Sequence, residues 1–178
     1  MLCYRDGDAG AFDALYARHK GGLYRYLLRQ CREPAAAEEL FQDVWMNLIR
    51  ARAGYTVQAK FTTYLYRLAH NRLIDRYRKQ GQAVLASFDA EDGPVLEDLA
   101  DEREQAPDTA YDVKRQAAEL LRLVAELPAP QREAFLLQQE GGMSVEAIAQ
   151  ATGVSRETAK SRVRYALARL RQGMSKWR

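Results

Sequence analysis

SVEAIAQATGVSRETAKSRVRYALARL, residues 144–170, decides how this chain folds. Ser144 stands where an N-cap accepts a free amide proton, and Ile148 and Ala149 give the short segment behind it an apolar side. ATGVS then breaks the segment, with Gly153 free to take the left-handed backbone such turns need. Ser155 caps a second helix, and Glu157 in its first turn suits the positive end of the helix dipole. At the helical period, Ala159, Val163, Ala166, Leu167 and Leu170 fall on one face. Thr158, Ser161, Arg164 and Tyr165 occupy the other, flanked by Arg156, Lys160, Arg162 and Arg169. A short helix, a glycine turn and a basic amphipathic helix make a helix-turn-helix, whose second helix enters the DNA major groove. In that helix Arg156, Arg162 and Arg169 are expected to hold phosphates, and Lys160, Ser161, Arg164 and Tyr165 to meet base edges.

Upstream of this motif the apolar spacing is again helical, and the β-branched alternation of strands is nearly absent. AFDALYARHKGGLYRYLLRQC, residues 11–31, places Phe12, Leu15, Tyr16, Leu23, Leu27 and Leu28 at helical spacing, with a Gly21-Gly22 pair expected to loosen or bend it. Pro34 suits the first turn of the next helix, in which Leu40, Phe41, Val44, Leu48 and Ile49 form the expected buried stripe. AGYTVQAK, residues 53–60, has loop composition. FTTYLYRLAHNRLIDRYRK, residues 61–79, is a basic helix with Leu65, Leu68, Ala69 and Leu73 as its core stripe. Residues 82–109 lose periodicity and collect acids, Gly93, Pro94 and Pro107, which is linker composition. Helical spacing resumes at Ala110. The expectation is an all-α chain of two small helical domains, 1–81 and 110–178, joined by an acidic linker over 82–109, the second domain being the helix-turn-helix one.

Charge is segregated along the chain although the net is only +3. Arg50 to Lys79 holds eight Lys/Arg against one acid, Gly81 to Asp112 ten acids against one base, and Ser155 to Arg178 eight bases against one acid. Two cationic blocks flanking an anionic one suit a polyanion touched at two places. The acidic linker is also expected to mask one basic block in the free protein, through Glu97, Asp98, Asp101 and Glu102. No apolar run approaches a membrane span, and the charged, glycine-bearing start MLCYRDGDAG is no secretory leader. Two cysteines, Cys3 and Cys31, argue against a disulfide scaffold and for a reduced cytoplasmic setting. No Cys/His ligand spacing, clustered carboxylate set or glycine-rich phosphate loop is present, so neither a metal, a cofactor nor a catalytic residue is expected.

The first basic block interleaves its cations with aromatics. Tyr55, Phe61, Tyr64, Tyr66 and Tyr77 lie among Lys60, Arg67, Arg72, Arg76, Arg78 and Lys79. Aromatic faces stack unpaired bases while cations follow the backbone. Tyr66 and Tyr77 are also candidates for partial burial, and Asn71 and Asp75 share a helix face where an amide reads a base edge.

The order of AEELFQDVW, YLYRLAHNRLIDRYRK and LPAPQREAFLL followed by GMSVEAIAQATGVSRETAKSRVRYAL resembles the bacterial sigma factors of the extracytoplasmic-function group. The likeness runs from about Gly7 to Gly173. It implies a transcription initiation factor acting on core RNA polymerase and promoter DNA, and an anti-sigma factor that holds it inactive, with no membrane insertion of its own. It implies that Glu38, Glu39, Leu40, Gln42, Asp43 and Asn47 dock on the polymerase clamp. It implies that Tyr55, Phe61, Thr62, Tyr64, Arg67, Asn71, Arg72 and Arg76 recognise and melt the −10 element. The −35 element would fall to Arg156, Thr158, Lys160, Ser161, Arg162, Arg164, Tyr165 and Arg169. The chain departs from the family at Tyr64, where tryptophan is frequent, and at Ala159 and Tyr165 in the recognition helix. An autonomous dimeric helix-turn-helix regulator is the rival; it leaves AEELFQDVW and the basic-aromatic helix without employment.

Overall fold

The computed structural model describes residues 1–79, 81 and 110–175. The linker expectation, including masking by Glu97, Asp98, Asp101 and Glu102, lies outside the described residues. Every regular element among those described is helical: α1 Leu2–Arg5, α2 Ala9–Cys31, α3 Pro34–Arg50, a 3-10 turn Arg52–Gly54, α4 Phe61–Lys79, α5 Ala110–Glu126, α6 Ala129–Gly141, α7 Val145–Thr152 and α8 Arg156–Met174.

Local chemistry sets these limits. The Asp8 carboxylate accepts from the Ala11 amide at 3.2 Å to start α2, and Pro34 opens α3 where its missing N–H is not needed. Ser144 caps α7 by accepting from the Ala147 amide at 3.3 Å, and Ser155 caps α8 by accepting from the Thr158 amide at 3.0 Å. Gly153, at φ 71°, makes the left-handed turn between them. Ser155→Ala is therefore expected to cost about 1 kcal/mol of stability, read as a lower urea midpoint with an unchanged slope. A midpoint equal to that of the parent chain would remove the cap from the account.

Helices α2, α3 and α4 pack together around Leu23, Leu27, Val44, Leu48, Leu65 and Leu73. α6, α7 and α8 pack around Leu136, Leu137, Ile148, Ala159 and Ala166, with α5 laid along α8. The two bundles do not stay apart. Their buried side chains form one continuous cluster, because α6 lies against α2 and α4, and α7 lies against α4.

Two expectations need correction. α2 runs unbroken through Gly21 and Gly22. A Cβ on Gly22 would sit 2.8 Å from the Glu140 carbonyl oxygen and 3.1 Å from the Tyr66 hydroxyl. This glycine lets α6 approach. On α3, Ile49 is 37% exposed and joins Met46, at 45%, on the outer face, so it is not part of the buried stripe.

Candidate nucleic-acid interface

The 3-10 turn and the loop after it fold back on the start of α4 and leave a cleft of about 710 Å³. Tyr55, Thr63, Tyr64 and Arg67 line it, together with Arg50, Gln58 and, from α7, Gln150. Tyr55 meets Tyr64 edge-on with ring centroids 5.1 Å apart, and Phe61 lies 6.5 Å from Tyr64. Burial pushes the hydroxyl pKa of both Tyr55 and Tyr64 upward, so both rings remain neutral. Arg5 donates to the Tyr55 carbonyl at 3.4 Å and ties the loop to α1. Tyr55 is only 7% exposed and backs the pair from inside, so the stacking face is the half-buried Tyr64 ring, beside the exposed Arg67 cation.

The far half of α4 does something else. Arg76 reaches Glu33 at 3.2 Å and Glu39 at 3.5 Å, tying α4 to α3. Arg72 and Arg78 sit 3.6 and 3.9 Å from Asp75. Thus Tyr55, Tyr64 and Arg67 gather at the cleft, while Phe61 packs beside Tyr64 and against His19, and Thr62 is half-buried outside the lining. Arg76 is tied to Glu33 and Glu39, Arg72 to Asp75, and Asn71 is exposed. On α3 itself Glu38, Glu39, Gln42 and Asp43 are exposed and Asn47 is half-buried. Glu39, Gln42 and Asp43 share an outer face with Met46 and Ile49, an apolar contribution the sequence reasoning missed. Leu40 is the exception: only 5% exposed, it belongs to the core behind that face.

In the helix-turn-helix, Arg156, Lys160, Arg164 and Arg169 are exposed along α8, with Thr158 and Ser161 half-buried. Arg156 is already paired with Glu146 at 2.6 Å and Glu157 at 3.3 Å, an exposed pair worth little. Its hydrogen bond holds the Glu146 carboxyl well below the usual range. The Ser161 hydroxyl donates to the Glu157 carbonyl at 2.9 Å. The Arg164 guanidinium lies 5.2 Å from the Tyr165 ring centroid.

Arg162 and Tyr165 do not sit where a groove would reach them in this arrangement. Arg162 is 5% exposed and Tyr165 8%. The Arg162 charge opposes protonation of His70 on α4, so this buried cation lies within electrostatic reach of the other bundle. Its basic side chain on an amphipathic helix resembled a phosphate contact in sequence; only the packing of the bundles distinguishes the two. Among the described residues no group of three or more His, Cys, Asp or Glu side chains is placed to hold a metal ion. No described helix is long and apolar enough to cross a membrane.

The profile of Sigma-70 region 2 matches residues 15–83, and that of Sigma-70 region 4 matches residues 117–170. The RNA polymerase sigma factor CarQ of Myxococcus xanthus is 32% identical over 172 residues, spanning 97% of this chain and 94% of its own. The chain belongs to the extracytoplasmic-function sigma factors of RNA polymerase. The RpoE sigma factor of Cereibacter sphaeroides is likewise 32% identical, over 98% of this chain and 93% of its own. Among solved structures, the fold of this sigma factor is similar to RpoE from Bartonella quintana, crystallised with the anti-sigma factor NepR. The TM-score is 0.68 at 23% identity, covering 93% of this chain and 97% of that one. CnrH in complex with the cytosolic domain of CnrY gives 0.67 at 20% identity, over 98% and 96%. The all-α architecture agrees with both. Membership in this family sets the autonomous dimeric regulator aside.

Proposed function

We propose that this sigma factor reads its promoter twice: as unpaired −10 bases in the cleft at the start of α4, and as −35 duplex along α8. The observation that carries this is the cleft itself, an aromatic and cationic recess on the basic block, in a chain that also holds a capped helix-turn-helix. Tyr55, Phe61, Thr62, Tyr64 and Arg67 act there, with Asn71, Arg72 and Arg76 farther along. Arg156, Thr158, Lys160, Ser161, Arg164 and Arg169 face the duplex; Arg162 and Tyr165, buried in this arrangement, join them only when a rearrangement exposes them. Glu38, Glu39, Gln42, Asp43 and Asn47, backed by Leu40, form the polymerase-docking face. The working units are 1–81, the linker 82–109 and 110–178. The factor acts in the cytoplasm, performs no covalent chemistry of its own and is held by an anti-sigma partner, as its structural relatives are.

The energetics favour a factor that works on a larger machine. Each captured base contributes about 1–3 kcal/mol by stacking, whereas melting costs about 1.4 kcal/mol per base-pair step. A few captured bases therefore cannot hold a dozen pairs open, and core polymerase must supply the rest. Permanganate probing on genomic promoter fragments tests the division of roles. With core polymerase and this chain, thymines near −10 should become reactive while the −35 duplex is protected. Protection without reactive thymines would refute the role given to the cleft.

A further inference from the structure

We propose that the two bundles of this sigma factor hold each other in a closed state that withholds its DNA-reading surfaces, latched by the buried carboxylate of Glu133. What is withheld rests on the promoter reading above; the closed state itself does not.

Glu133 lies on α6 and is 2% exposed. Its Oε1 accepts from the Tyr26 hydroxyl of α2 at 2.6 Å and pairs with His70 Nδ1 of α4 at 2.8 Å. Arg162 of α8 is the further charge felt at this point. One carboxylate oxygen of the second bundle therefore joins two helices of the first. Its other oxygen, Oε2, is buried without a hydrogen-bond partner. A buried carboxylate with an unsatisfied oxygen is costly, and water restores its solvation as soon as the bundles part. That makes Glu133 a releasable latch and a poor permanent weld. Around it, Arg132 Nε donates to Gln30 Oε1 at 3.2 Å, and Glu140 takes Arg25 at 2.8 Å and Arg29. Gly22 supplies the space that the approach requires.

Closure carries a functional cost at both surfaces. Gln150 of α7 forms part of the wall of the cleft assigned to the −10 bases. Arg162 of the recognition helix is buried, within electrostatic reach of His70. A factor in this state binds random DNA poorly and opens when a larger partner separates its halves.

Two substitutions in the full-length chain reach the junction by different routes. Glu133→Ala removes the carboxylate that Tyr26 and His70 share while placing a strong helix former in α6. Gly22→Ala drives a methyl group against the Glu140 carbonyl while favouring α2 on its own. Both should enlarge the radius of gyration in small-angle X-ray scattering with helical content retained by circular dichroism. Both should also tighten core-free binding to a labelled duplex at low salt, by about tenfold for Glu133→Ala. Two folded variants with the parent's radius of gyration would overturn the latch. Expansion of both without any gain in DNA affinity would overturn the masking. Promoter-specific transcription by the parent chain with core polymerase is scored in parallel. Its failure would strike the promoter reading, which the scattering result does not depend on.

Discussion

Replacing Tyr64 and Arg164 together by alanine is expected to reduce the population of open promoter complex far more than either change alone. Tyr64 stands at the cleft against Tyr55 and Phe61, and removing its ring takes away a face worth about 1–3 kcal/mol per stacked base. Arg164 is exposed on α8 with its guanidinium over Tyr165; a bidentate base contact by such a side chain contributes about 1–3 kcal/mol of discrimination. In the promoter reading proposed above the two residues act on separate parts of the promoter through different neighbours, so their losses should add to about 2–6 kcal/mol. Tyr64→Phe keeps the ring and should retain most of the activity. Titrating each variant against core polymerase on one promoter, with permanganate reactivity as readout, gives the comparison. A double variant no worse than its weaker parent, or a phenylalanine as damaging as alanine, would contradict the assignment.

The second large effect concerns His70. Its burial works against protonation, but the Glu133 carboxylate favours it more through charge and hydrogen bonding, with Arg162 opposing; the net is a pKa raised above the ordinary 6.5. A histidine raised in the closed state stabilises that state fully below 6.5, and the contribution disappears as pH rises through the raised value. Closure should thus be strongest on the acid side and relax as pH rises above 6.5. Removing one partner of a buried pair costs about 3–5 kcal/mol, so His70→Ala should open the bundles most at the acid end. His70→Gln should flatten the pH profile. Scattering across that range checks both, and a profile identical in the parent and the glutamine variant would exclude His70 as its source.

Legibility in the sequence followed the range of the interactions. The caps at Ser144 and Ser155 and the turn at Gly153 act over three or four residues, and their pattern was plain. So was the stripe of Ala159, Val163, Ala166, Leu167 and Leu170, which helical period alone places on one face and of which all but the half-buried Leu167 are buried. The bond between Tyr26 and Glu133 joins residues 107 apart, and no local pattern announces it. For the same reason Gly22 read as a bend, because its reason for being small is the Glu140 backbone of another helix. Arg162 read as a phosphate contact because a basic side chain on an amphipathic helix has the same sequence pattern whether it faces DNA or a second bundle. Ile49 lies at the edge of the buried stripe on α3, where helical period decides burial least sharply, and it is left out; Leu40 follows the period into the core.

Run-off transcription with purified core polymerase, on templates spanning genomic promoter fragments, tests the central claim most directly. Adding this chain should create initiation at discrete positions where core alone gives only diffuse transcripts, and Tyr64→Ala should weaken it at every one of those positions. Transcripts that are the same with and without the chain would contradict the account.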